Sequence, residues 1–304
     1  MGEAYCIRIA MNTREPSVAP SGAFLIGGDL PVHRLGYGTM RLVGEGAWGE
    51  PEDADEAKHV LRRAVELGVD LVDTADAYGP EIAERLICEA LHPYPAGLVI
   101  ATKGGITRQG PAKTEYVGRA GYLIQCVEMS LRRLKLERIE LYQLHRIDPR
   151  TPLEESLGAL KQMQEQGKIR HIGMSEVNAE QIQQARTMVE VVTVQNRYNL
   201  ADRRNEETLR YCEREGIGFL PWYPLTGGKV LRPGHAATPT LAEIAARHGV
   251  SAAQLSIAWL LQRSPVMLPI PGTSKVAHLE ENVAAGSLKL SPENWAEVEA
   301  GFGA

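Results

Sequence analysis

The sequence predicts an α/β chain folded as a single (β/α)8 TIM barrel. Three observations carry that expectation. Short apolar runs alternate with longer amphipathic stretches, there are eight such runs, and no low-complexity linker divides them. Serial βα units imply parallel strands covered by helices. An open doubly wound sheet is the alternative, but eight strands with a helical stretch after each match closure into a barrel.

The expected strands are 35–39, 69–73, 98–103, 139–145, 169–175, 191–195, 217–223 and 266–270. The expected helices are 55–67, 81–91, 122–134, 153–166, 179–188, 205–214, 241–263 (broken at Gly249) and 278–284. Before the first strand, 24–26 and 32–35 read as a β-hairpin joined through Gly27-Gly28-Asp29-Leu30-Pro31. Ser291 and Pro292 open an extra C-terminal helix over 292–300. Residues 1–22 read as a loose extension, with Met11 as a candidate initiator, and 23–304 as one barrel domain.

Composition narrows the function. With 44% hydrophobic residues the 304-residue chain can bury a sizeable core. Its net charge of −5 argues against nucleic acid or an anionic membrane as partner, since both favour basic patches. Cys6, Cys88, Cys126 and Cys212 are far apart and form no CxxC pair, which suits a reducing cytoplasm. No apolar run reaches the ~18 residues that a membrane span needs.

In such barrels chemistry sits at the C-terminal ends of the strands. Strand two ends in Asp73, with Tyr78 five residues on; strand three ends in Lys103, strand four in His145, strand five in Ser175 and strand six in Gln195. Taken singly, Asp73 suits a helix cap, Lys103 a surface lysine and His145 a satisfied barrel histidine. Charged groups at successive strand ends are costly to bury unless they pair, so their joint placement points to a site. The set suits carbonyl reduction: Tyr78 as proton donor, Lys103 easing its proton loss, Asp73 anchoring Lys103, and His145 orienting the substrate oxygen.

The segments Asp73-Thr-Ala-Asp-Ala-Tyr78-Gly, Lys103-Gly-Gly, Leu144-His145, Ile172-Gly-Met-Ser175-Glu and Ile270-Pro-Gly-Thr-Ser-Lys-Val-Ala-His-Leu-Glu-Glu-Asn282 resemble, in order and spacing, the aldo-keto reductase family. The resemblance runs from about Phe24 to the end. It implies an NADP(H)-dependent barrel reducing small-molecule carbonyls, with a tetrad of Asp73, Tyr78, Lys103 and His145. It also implies cofactor contacts from Gly38, Thr39, Met40 and Asp73, a nicotinamide held by Ser175, Glu176 and Gln195, and a ring stacked on it. Trp222 is expected to supply that ring, with Tyr223 the second choice, followed by Pro224 and Leu225. Gly272, Thr273 and Ser274 would offer backbone N–H groups to phosphate ahead of a helix. Two departures stand out there: Gly272 and His278 occupy positions where the family often has Lys and Arg. Lys275 is expected to compensate, giving NADPH with tolerance of NADH, while Glu281 and Asn282 face the adenine. Glu176 stands where Asn is common.

Three rival readings compete. Gly44-Glu-Gly46-Ala-Trp-Gly49 matches GxGxxG, but the acidic run after it would repel pyrophosphate, so it reads as a loop in which Trp48 could meet substrate. A metal-dependent barrel hydrolase using Asp73 and His145 lacks any HxH or HExxH arrangement, so no metal is expected. The remaining alternative is a cofactor-binding regulatory subunit resembling potassium-channel β subunits, which keep the same barrel. Substrate choice is assigned to the loops 42–51, 146–151 and 226–240.

Overall fold

A computed structural model of the chain describes residues 15–225, 238–247 and 249–302. A hairpin, β1 (Ala23–Ile26) and β2 (Leu30–His33), precedes the barrel, pairing Ile26 with Leu30 across a three-residue turn. The barrel strands are β3 (Tyr37–Gly38), β4 (Leu71–Asp73), β5 (Val99–Gly104), β8 (Ile139–Leu144), β9 (Ile169–Ser175), β10 (Val191–Gln195) and β11 (Gly218–Phe219). They form one parallel sheet in that spatial order.

The eighth expected strand does not form a regular ladder. Residues 266–270 instead bridge both edges: Leu268 N–H donates to Phe219 O at 2.8 Å, and Gly36 N–H donates to Pro269 O at 3.0 Å. Pro269 and Pro271 have no N–H to give, so the segment closes the barrel without extended pairing. Pro221 likewise cuts strand seven to Gly218–Phe219, with a single further bridge between Arg197 and Trp222.

Outside lie α1 (Ala54–Glu66), α2 (Ile82–Leu91), α3 (Ala120–Leu134), α4 (Leu153–Glu165), α5 (Ala179–Arg186), α6 (Glu206–Glu215), α7 (Thr238–Arg247), α8 (Ala252–Arg263) and α9 (Val276–Ala284). The expected break falls at Gly249, whose φ of +63° is left-handed. The extra helix α10 (Pro292–Phe302) stacks Trp295 on Trp259, 5.8 Å between ring centroids. One element had no counterpart among the expectations: a second hairpin, β6 (Ile106–Gly110) and β7 (Lys113–Tyr116), rises from the end of β5.

Side-chain alternation along the strands separates core from site. In β4, β5 and β8, Leu71, Val99, Ala101 and Leu141 point into the barrel, while Val72, Ile100 and Tyr142 pack against the helices. The same period carries Asp73, Lys103 and Gln143 inward one step nearer the C-terminal end. At the other end Ile26, Leu30 and Val32 of the first hairpin join the inner cluster and fill the barrel floor. The expected loose extension is packed over its last residues: Val18 is fully buried and its N–H donates to Leu67 O at 3.1 Å. Residues 1–14, with Cys6 and Met11, lie outside the described residues, as do 226–237 of the loop after strand seven.

Register aligns Lys103, Gln143, Gly173, Thr193 and Gly218 across five strands. A Cβ on Gly173 would sit 2.2 Å from Thr193 Oγ1 and 3.0 Å from Gln143 Cγ. Gly173→Ala is therefore expected to cost about 1–3 kcal/mol by overpacking and to displace Gln143, checked by thermal or urea unfolding against the parent.

Candidate active site

The three residues brought inward by strand alternation meet at Asp73. Lys103 Nζ donates to Asp73 Oδ2 at 2.7 Å and to Thr74 O at 2.7 Å. Gln143 Nε2 and Gln195 Nε2 donate to Asp73 Oδ1 at 3.2 and 2.8 Å. Thr39 Oγ1 donates to the backbone carbonyl of Asp73 at 3.1 Å. Lys103 and Asp73 are 0% and 2% exposed, and a buried ion pair is tolerable only when its remaining hydrogen-bonding capacity is met, as it is here.

Tyr78 follows β4 on the turn into α2, its OH 3.4 Å from Lys103 Nζ. His145 follows β8, held by its N–H donating to Gly104 O at 2.9 Å, and its ring meets Tyr78 edge-on at 6.0 Å. Asp73, Tyr78 and His145 thus line a cavity of about 290 Å³ at the C-terminal end of the barrel, and Lys103 is buried behind them in contact with Asp73 and Tyr78.

Burial raises the Tyr78 phenol above its usual range, while Lys103, as expected, pulls in the opposite direction and eases proton loss without outweighing it. Burial opposes the charge on Lys103, but the adjacent Asp73 carboxylate wins and holds the ammonium protonated above the ordinary lysine range. Burial, then the charges of Lys103, Arg146 and Arg108, push His145 well below the usual imidazole range, so at neutral pH the ring is uncharged. Its Nδ1 is buried without a partner.

Of the expected cofactor residues, Gly38, Met40, Asp73, Ser175, Gln195, Trp222, Pro224, Leu225 and Gly272 line the cavity. Ser175 Oγ donates to Gln195 O at 2.8 Å. Thr39 is buried and engaged with Asp73 instead. Glu176, in the left-handed region at φ +56°, also lies off the lining: its Oε1 accepts from Trp222 Nε1 at 2.6 Å and from Arg197 N–H at 2.7 Å. Its side chain therefore braces the strand-seven ring. Trp222 and Tyr223 both line the cavity, with the Arg197 guanidinium 5.7 and 4.9 Å from their ring centres.

Gly272 lets its backbone pack directly against the end of β3. A Cβ there would stand 2.6 Å from Gly38 O and 3.5 Å from Arg41 Cγ. Thr273, Ser274 and Lys275 lead into α9, whose N-terminus has no side-chain cap and no acid in its first turn. Ser274, Lys275 and His278 are exposed, Glu281 is half-buried and Asn282 buried along the same helix. The Lys275 N–H donates to Thr273 Oγ1 at 3.1 Å, and the N–H groups of the first turn beyond it fit an anion.

Arg41, Ile106, Arg108, Thr114, Tyr116, Arg146, Ile270 and Pro271 complete the lining and were not among the expected site residues. Two of these, Ile106 and Arg108, come from β6 and two, Thr114 and Tyr116, from β7, so four belong to the second hairpin, the element missing from the expectations; its signal is the Gly110-Pro111 turn between short alternating runs. Trp48 stays off the lining. The Gly44–Gly49 stretch is a loop, since α1 opens only at Ala54. Among the described residues no three His, Cys, Asp or Glu side chains are grouped to hold a metal ion, and no helix is long and apolar enough to cross a membrane.

Comparison with known proteins settles the family. The model of the aldo/keto reductase family matches residues 34–301. The chain belongs to that family. An uncharacterized oxidoreductase of Schizosaccharomyces pombe is 48% identical over 272 residues, 90% of this chain and 87% of that one. Pyridoxine 4-dehydrogenase of Escherichia coli is 42% identical over 272 residues, 88% of this chain and 93% of its own. Among solved structures, an aldo-keto reductase from Klebsiella pneumoniae in complex with NADPH superposes with a TM-score of 0.79 at 26% identity, covering 92% of this chain and 94% of that one. The aldo/keto reductase barrel thus carries the Asp73–Lys103 hub at the expected strand ends.

Behind the hub sits a second buried carboxyl. Burial and the neighbouring Glu84 push Asp76 up to about 7, and its Oδ1 has no hydrogen-bond partner. A carboxyl whose folded pKa exceeds its unfolded value costs stability as pH rises between the two. Asp76→Asn is therefore expected to gain in Tm over the parent between pH 4 and pH 7, levelling off above about 7, as read from melts across that range.

Proposed function

We propose that this chain reduces aldehydes or ketones to alcohols using NADPH, with Tyr78 as the general acid. The observation that carries the reading is the Tyr78 hydroxyl within 3.4 Å of a fully buried lysine cation, at the wall of the cavity. Family membership and the NADPH bound to the Klebsiella relative support the cofactor. The residues present suit it: Ser175 and Gln195 offer amide partners, Trp222 or Tyr223 a stacking ring, and the Gly272 turn with the uncapped α9 a phosphate site. Exposed Lys275 supplies a charge for the 2′-phosphate, while Gly272 and His278 offer none to match it, which leaves room for NADH.

When bound, NADPH supplies the hydride to the carbonyl carbon. The chain's own part is to place the carbonyl oxygen between Tyr78 and His145. As negative charge builds on that oxygen, the Tyr78 hydroxyl donates its proton, and Lys103 stabilises the phenolate left behind. Asp73 fixes Lys103, and neutral His145 donates a hydrogen bond without adding a second charge to the wall. Solvent reprotonates Tyr78 after the alcohol leaves.

A cytoplasmic setting belongs to this reading and suits the free thiols of Cys88, Cys126 and Cys212. The name of the E. coli relative makes pyridoxal and pyridoxine early members of a substrate panel. Sustained turnover separates this reading from a regulatory subunit that oxidises its bound cofactor once and stops.

Two outcomes follow. Tyr78→Phe should lower kcat about 10²–10⁴-fold, the usual contribution of a general acid, while NADPH still quenches protein fluorescence as in the parent; an unchanged kcat would falsify the assignment. Because the acid form of Tyr78 is held above its ordinary range and His145 stays neutral below its own, the reduction rate should be flat from mildly acidic to mildly alkaline pH. It should fall only above the usual tyrosine pKa, as a kcat–pH profile would reveal.

A further inference from the structure

Three arginines on the cavity lining have no carboxylate partner among the described residues: Arg41, beside Gly272, and two others. Arg108 stands on β6 and Arg146 directly after His145. Among the described residues neither has a carboxylate within ion-pair distance, although Arg133, Arg150, Arg170 and Arg263 each hold two acids. Among the described residues Asp73 is the one acidic residue lining the cavity, and both its oxygens are taken by Lys103, Gln143 and Gln195.

Both guanidinium groups are held by oxygens that bear no full charge. Arg108 donates from Nε to Ala77 O at 3.0 Å and from Nη1 to Gly46 O at 3.2 Å. Arg146 donates from Nη1 to His145 O at 2.7 Å and to Ser175 Oγ at 2.8 Å. These bonds fix the groups while leaving Arg108 Nη2, and Nε and Nη2 of Arg146, without a partner among the described residues. Both charges bear on the His145 ring, so they stand close to where the carbonyl reacts.

Their place in the barrel separates them from the cofactor's phosphates. Gly272 and α9 follow strand eight and Trp222 follows strand seven, whereas Arg108 and Arg146 follow strands three and four across the mouth. Arg41, beside Gly272, lies on the phosphate side.

We propose that Arg108 and Arg146 form a subsite for a carboxylate on the substrate, so that the enzyme favours aldehydes or ketones bearing a carboxylate within a few bonds of the carbonyl. Planar guanidinium donors match carboxylate geometry, and a partly desolvated site strengthens the pairing. The cavity of about 290 Å³ keeps the two ends of such a molecule close. This rests on the carbonyl-reduction reading above.

The test compares 3- and 4-carboxybenzaldehyde with 3- and 4-formylbenzamide, uncharged molecules of the same size, at saturating NADPH. The parent should favour one carboxylate isomer by about tenfold or more in kcat/KM, the scale of one charge-assisted hydrogen bond, mainly through KM. Arg108→Gln and Arg146→Gln should each bring the carboxylate-to-carboxamide ratio most of the way to one, Arg146→Lys should retain part of it, and added NaCl should erode it in the parent. The ratio is taken on a single preparation, so a smaller folded fraction cancels. Equal rates for both members of each pair, or ratios untouched in both Gln variants, overturn the subsite and leave carbonyl reduction standing. Failure of the parent to reduce any of the four aldehydes while NADPH still binds overturns both.

Discussion

A lysine with no exposed surface, joined to an aspartate at the end of the neighbouring strand, is the constraint on which this barrel's chemistry depends. Neither charge could be left alone there, since removing one partner of such a pair typically costs about 3–5 kcal/mol. The surroundings are arranged accordingly. Two glutamines from β8 and β10 occupy the second oxygen of Asp73, a threonine from the turn after β3 fixes its backbone, and Thr74 O takes a further proton of the ammonium. Gly173 supplies the empty volume that lets Gln143 cross the barrel. The same atoms serve the packing and shape the cavity wall, so the site's geometry is inherited from the packing of five strands.

Burial also decides which groups hold protons. It raises Tyr78 against the pull of Lys103, lowers His145 with the help of three cations, and leaves Asp76 neutral up to near pH 7. The wall facing a substrate therefore presents a phenol, an imidazole without charge and a fixed cation behind them. The protonated phenol and the fixed cation are different residues, a division that a solvent-exposed cluster of the same side chains could not maintain.

Much of this was legible in the sequence because strand alternation leaves a strong trace: apolar residues at 71, 99, 101 and 141 are followed, two positions on, by Asp73, Ala101, Lys103 and Gln143. Joint placement then pointed to Asp73, Tyr78, Lys103 and His145, which the structure brings together. The eighth strand was legible as an apolar run, but its prolines, which dictate bridging in place of a ladder, act on pairing and not on hydrophobicity. The β6–β7 hairpin escaped because its outer faces are exposed and its runs are short, so it lacks the apolar signal that marks a barrel strand. Arg108 and Tyr116 escaped with it. The role of Glu176 depended on two partners 21 and 46 residues away, a distance no local pattern encodes.

The first hairpin, packed into the floor with Ile26, Leu30 and Val32, turns the barrel into a vessel with one opening. The hairpin's apolar side chains keep water from reaching the Asp73–Lys103 pair from beneath, so the weak dielectric around that pair is maintained from a floor far from the cavity mouth.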